Sequence, residues 1–257
     1  MVLNVRNRFI GSTMAMAVVL TALVWTPAPA AAQSPPAKAA AIPRAADGKL
    51  DLSGFWDIPS VMDMSMGKEA EVPYTPLGRA AFKNHDAKDN PTGFCLPPGV
   101  PRIMQSPFPM AMVQTPGYVV MLFEYQRIWR MIYTDGRAHH ADVAETFMGD
   151  STGKWEGDTL VIDTVALNHR TWLDAAGHQH SANMRVIERL TRTGPDTIAY
   201  VFTVEDPAMY AKPWIHERIF KTLKPSKDLP DLIEYSCNDN NTNVPHLVST
   251  KPAAGTH

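Results

Sequence analysis

Between residues 109 and 205 the chain is punctuated by turn signals, and everything between them is β-prone. Pro116-Gly117 separates MAMVQT from YVVMLFE, and Asp135-Gly136 closes RIWRMIYT. Glu156-Gly157-Asp158 joins a short strand at Trp155 to Thr159–Val165, and Thr193-Gly194-Pro195-Asp196 joins MRVIERLTR to TIAYVFTVED. Gly, Asp and Pro accept the backbone angles of tight turns, so each pair of runs reads as an antiparallel hairpin. Ile198, Tyr200, Phe202 and Val204 alternate and define one buried face. A first strand over 50–58 and two later ones over 214–223 and 231–237 bring the count to about ten. Helical periods are few and βαβ alternation is absent. The expected fold is therefore all-β, an antiparallel up-and-down barrel with long Pro-rich loops.

The amino terminus assigns a compartment. Arg6 and Arg8 precede an apolar run at 14–25 and an Ala-rich stretch at 27–32, the pattern of a secretory signal peptide cleaved after Ala32. That run falls short of the about 20 residues of a membrane span, and no Cys follows for lipid attachment. The chain divides into signal peptide 1–32, flexible leader 33–46, a single barrel domain 47–245 and a mobile tail 246–257, with a periplasmic destination. A net charge of −2 offers no electrostatic footprint for nucleic acid or an anionic membrane. Cys95 and Cys237 are the only cysteines. In an oxidising compartment a disulfide is the default expectation, two free thiols the alternative.

Several local features bear on a site. CLPPGVPR, residues 95–102, is too rich in proline for regular structure and is expected to lie across a barrel mouth. Thr75-Pro76-Leu77-Gly78 reads as the start of a short helix through Phe82. Gly54 and Trp56 form the G-x-W that closes the base of lipocalin-type barrels, or simply a first strand with a core Trp. Along RIWRMIYT, Arg127, Trp129, Met131 and Tyr133 share one face, and Ile128, Arg130 and Ile132 the other. Either face is apolar enough to turn inward. The ring, thioether and phenol of the first suggest a cavity wall with Arg127 at its rim, whereas Arg130 pairs with Glu124 in the plainer reading. If Val186 and Leu190 face inward, Glu188 goes with them and must be paired or have a raised pKa, although Ile187 argues for the opposite register. Asp150 and Asp158 read as turn formers.

The loop after Val165 carries Asn168, His169, Arg170, Thr171, Trp172, Asp174, His178, His180 and Ser181. It is either a site or a solvated loop. His178 and His180, at i and i+2, would hold a metal only if His140 or Asp142 joined them. There is no H-E-x-x-H and no Cys cluster, so no metal is expected. No G-x-S-x-G elbow and no Gly-rich phosphate loop occur, so neither a serine nucleophile nor a nucleotide cofactor is expected. Acid–base chemistry in an aromatic-lined site remains. The assigned catalytic set is His178, His180, Glu188, Arg127 and Tyr133; Tyr125, Trp129, Arg130, Trp172 and His140 are assigned to substrate binding. Arg127 or Arg130 would hold a carboxylate by paired hydrogen bonds.

From DGKLDLSGFW through CLPPGVPR, QTPGYVVMLFEYQRIWRMIYTDGR, MGDSTGKWEGDTLVIDT, NHRTWLDAAGHQHS and DPAMYAKPW to EYSCN, the chain resembles a large family of exported bacterial β-barrel proteins, common in soil proteobacteria that degrade aromatic compounds. At fold level it is similar to calycin-like barrels. These include carriers of apolar ligands and cofactor-free phenolic acid decarboxylases, which use Tyr, Arg and Glu around an aromatic substrate. The acid–base reading, in an exported barrel with a polar loop, makes the expected activity that of a cofactor-independent carbon–carbon lyase acting on a lignin-derived aromatic compound, with association into a homo-oligomer left open. Its rivals are a periplasmic binding protein for the same kind of molecule and a metal-dependent hydrolase.

Overall fold

In the computed structural model, which describes residues 41–224 and 231–237, nine strands close into a barrel in chain order. They are β1 (Gly54–Asp57), β2 (Met110–Thr115), β3 (Tyr118–Phe123), β4 (Trp129–Tyr133), β5 (Asp150–Glu156), β6 (Thr159–Val165), β7 (Arg185–Gly194), β8 (Thr197–Glu205) and β9 (Trp214–Thr222). The turns at Pro116-Gly117, Glu156-Gly157-Asp158 and 193–196 each join antiparallel neighbours, whereas Asp135-Gly136 opens a longer connection, and β9 returns to β1 to complete the wall. One seam departs from the antiparallel pattern. β4 meets β5 in parallel through the single pair Tyr133 and Thr152, because residues 134–149 carry the chain back before β5 begins. Residues 231–237, expected as a strand, are not one, and the first strand is shorter than expected. The signal peptide, the leader up to residue 40 and the tail 246–257 lie outside the described residues. Among the described residues no helix is long and apolar enough to cross a membrane.

The barrel is filled by its own side chains. Met110 and Met112 of β2, Val119 and Met121 of β3, Ile162, Leu190, Ile198, Tyr200, Phe202 and Phe220 are all essentially inaccessible. Burial on this scale excludes water from the interior, at roughly 25 cal/mol per Å² of apolar surface removed. At one end Trp56 is buried, its Nε1 donating to Leu52 O, and the Arg192 guanidinium lies 5.1 Å from its ring centre. Arg192 itself donates to the carbonyls of Asp51 and Pro195, so the base is tied by backbone hydrogen bonds. The Pro-rich segment leads into a tight turn, Arg102–Gln105, whose Ile103 and Met104 are fully buried. Gln105 anchors that turn, accepting from Arg218 of β9 at 2.8 Å and donating to Leu173 O at 3.2 Å.

The helix α1 (Pro76–Asn84) starts where Thr75 accepts from Gly78 N, with Pro76 in the first turn. It docks so closely that a Cβ on Gly78 would stand 2.1 Å from Met209 O. Cys95 and Cys237 form a disulfide.

On β4 the face with the ring, thioether and phenol points outward: Trp129 is 62% exposed, while Arg130 and Ile132 are buried. The charge on Arg130 turns inward because a carboxylate waits for it there. On β7, Val186, Glu188 and Leu190 all face the interior and are fully buried.

Candidate functional site

Three polar clusters account for the residues singled out in the sequence. The first is sealed inside the barrel. Glu188 accepts from Arg130 through both Nη atoms and from Tyr200 Oη at 2.9 Å. Arg130 also donates to Ser151 Oγ and Thr164 Oγ1. Burial opposes the charge on Arg130, but Glu188 more than offsets it and raises the guanidinium pKa. Burial likewise drives the Tyr200 phenol far upward, reinforced by Glu188. Glu188 therefore answers the alternatives for a buried carboxylate by being paired. The expected Arg130–Glu124 surface pair does not form, and the fork of Arg130 is spent on Glu188 rather than left for a substrate carboxylate.

The second cluster is the loop after β6. His178 is buried between two carboxylates, with Nδ1 2.5 Å from Asp174 Oδ2 and Nε2 3.1 Å from Glu69 Oε2. Burial works against its protonation, yet Asp174 and Glu69 outweigh it and raise the pKa. Asp174 is held by three backbone amides, those of Met64, Gly177 and His178. Phe82, Tyr74 and Trp214 pack around the imidazole with ring centres 4.7, 6.0 and 5.1 Å away. His180 belongs elsewhere: Thr171 Oγ1 lies 2.7 Å from its Nε2, and its Nδ1 donates to Ser181 O. Burial lowers its pKa and keeps it neutral. The two histidines thus share no ligand position, and neither meets His140 or Asp142. Asp63, Asp174 and His178 do bring one ligand atom each within 4.8 Å of one another, which makes them the set able to hold a cation among the described residues. Trp172 is buried with its ring edge-on to His85.

The third cluster lies in the open. Because β4 and β5 share only one residue pair, the seam between them is not closed by a ladder, and residues 134–149 fold back across the outer face of β4. A groove of about 520 Å³ results. Its lining includes Trp129, Met131 and Tyr133 of β4, His140 and Val143 of the connection, and Asp150 at the start of β5. The cavity wall expected from the first face of β4 thus stands outside the barrel. Asp150 takes His140 Nδ1 at 2.8 Å and His139 Nδ1 at 2.9 Å, and also accepts from His140 N. Partial burial raises the carboxyl pKa, but the hydrogen bonds from the two imidazoles prevail and hold it below the usual range. His139 is engaged on its other side by Asp163 at 3.4 Å. His140, its side chain 53% exposed, has no hydrogen bond to Nε2 among the described residues. Arg137 lies 3.8 Å over the Tyr133 ring and pairs with Asp135.

Trp129, Tyr133 and His140 are thus brought to one groove, while Arg130 borders it with its guanidinium turned inward to Glu188, and His178, His180 and Glu188 are buried apart from it. Arg127 ends in an exposed ion pair with Glu234. Tyr125 stacks on Phe108 beside a different cavity. Asp150, read as a turn former, is the residue that organises the groove's imidazoles; no local pattern signals this, since β5 brings it to them through space. Asp158, the other such reading, is paired with Arg44. No family model, no curated protein and no solved structure matches this chain.

Proposed function

We propose that the chain is an exported enzyme performing cofactor-independent acid–base chemistry on an aromatic small molecule bound in the groove outside β4, with a decarboxylase-type carbon–carbon lyase as the reaction class. The observation that carries the reading is the Asp150–His140 pair. A carboxylate fixed on Nδ1 orients the imidazole, sets its tautomer and stabilises the cation that forms when Nε2 takes a proton. Trp129 and Tyr133 supply flat surfaces for a ring at modest entropic cost. On a para-hydroxylated unsaturated acid, His140 removes the phenolic proton and a solvent proton adds to the carbon bearing the carboxylate. The C–C bond electrons then restore the ring as carbon dioxide leaves, and the phenolate recovers its proton. His178 and Glu188 have no part in this scheme, because each is already paired within the packed interior.

The test is incubation of metal-stripped, purified mature protein with phenolic acids and lignin-type dimers, following products by mass. Loss of carbon dioxide or formaldehyde is expected, and His140→Gln is expected to slow turnover by about 10²- to 10⁴-fold. Saturable binding without turnover favours instead a binding protein, a reading to which the 62% exposure of Trp129 lends itself. Full activity in His140→Gln removes the groove as the catalytic site.

A further inference from the structure

A second cavity, of about 220 Å³, opens beside the Arg102–Gln105 turn and shares no lining residue with the groove. Its chemistry is set by Arg102, which closes the CLPPGVPR motif and is only 8% exposed. Of the other two arginines buried among the described residues, Arg130 is matched to a carboxylate and Arg192 to backbone carbonyls; Arg102 has neither. Nη1 donates to Asn90 Oδ1 at 2.9 Å and Nη2 to Thr92 Oγ1 at 3.1 Å, both neutral acceptors. Among the described residues no carboxylate lies within ion-pairing distance of it. With two of the five N–H donors of a guanidinium so used, three have no acceptor among the described residues. Burial depresses its pKa, with Tyr125 and Asp174 acting from further off in the opposite sense. A cation held in a cavity wall without a counter-charge is expensive to keep, and an anion of matching shape relieves that cost.

The walls define the rest of the ligand. Phe108 and Tyr125 stack with ring centres 4.8 Å apart and both line the cavity. Tyr235 braces the pair edge-on, at 5.2 and 5.1 Å, two residues before the disulfide to Cys95. Val61, Met62 and Ala175 complete an apolar side. At roughly 30 Å³ per water the volume corresponds to about seven waters, the bulk of one substituted ring. We propose that this cavity binds a small planar monocarboxylate of the benzoate type, its carboxylate on the Arg102 fork and its ring between Phe108 and the apolar side. The site stands whether or not the groove catalyses a reaction.

The experiment is calorimetric titration of the full mature chain with benzoate, acetate, benzyl alcohol and inorganic phosphate. Saturable benzoate binding is expected, with acetate weaker for want of a ring and benzyl alcohol silent for want of charge. Arg102→Gln should weaken benzoate at least tenfold. Ala175→Leu, which fills the cavity without touching the guanidinium, should block it at an unchanged melting temperature and so keeps the test decisive if Arg102→Gln folds poorly. Ile215→Ala, on the outer face of β9 and in the lining of neither cavity, should leave it intact. Absence of benzoate binding to the unsubstituted chain overturns the proposal. So does equal binding by benzyl alcohol or phosphate, undiminished binding in Ala175→Leu, or loss of binding in Ile215→Ala.

Discussion

Replacing Glu188 by Gln tests the electrostatic core of the barrel. The substitution preserves shape and leaves Tyr200 an oxygen to donate to, but removes the one anion facing Arg130. That guanidinium has a side chain 1% exposed, and its remaining partners, Ser151 and Thr164, are neutral. Breaking a buried pair from one side costs about 3–5 kcal/mol, because the charge left behind cannot reach water. For a domain of this size, at roughly 2–4 °C per kcal/mol, the melting temperature should fall by about 6–20 °C. Thermal melts and urea titrations of the single variant measure this directly. The triple variant Arg130→Met, Glu188→Leu, Tyr200→Phe removes the charges and the orphaned hydroxyl together and should recover most of the loss. The reasoning is refuted if Glu188→Gln melts within about 2 °C of the parent chain, or if the triple variant loses as much as the sum of its parts.

Two further outcomes follow from the same geometry. His216 is buried against Phe202 and Trp214, and burial, aided by Arg218, pushes its pKa down to about 4. A depressed folded value means the unfolded chain binds the proton first. Its contribution is full above about pH 6.5 and is lost as pH falls towards 4, about 3 kcal/mol in all. His180 adds in the same direction, whereas His178, with its raised pKa, contributes below its unfolded value and loses that contribution as pH rises through the folded one. His216→Leu should therefore flatten the acid limb of a stability–pH profile between about 6.5 and 4, and an unchanged limb counts against the assignment. Separately, Gly78→Ala should destabilise by about 1–3 kcal/mol despite alanine's better helix propensity, since its Cβ meets Met209 O. Denaturant midpoints that rise rather than fall would show that α1 is free to shift.

Nine strands, most of their turns and the start of α1 were legible in the residues, though 231–237 is no strand, because they are set by near neighbours: alternation of side chains, Gly and Asp at turns, Thr75 before Pro76. Glu188 was legible as an inward carboxylate because Val186 and Leu190 flank it with the same alternation. The carboxylate that meets Arg130 was not, for Glu188 lies 58 residues along the chain, while Glu124 sits nearby and attracts the simpler pairing. The same limit hid the residues that define the sites. Glu69 reaches His178 across 109 residues, Asp150 collects two imidazoles only because the chain folds back over β4, and Arg102 is distinguished by having only neutral acceptors, Asn90 and Thr92, among the described residues. Whether a face of β4 lines a cavity was decided by composition, but on which side of the wall that cavity lies was decided by where the charge on Arg130 is neutralised. Local sterics write secondary structure into adjacent residues; the pairing of charges is a matter of distance in space, and only the closed barrel determines it.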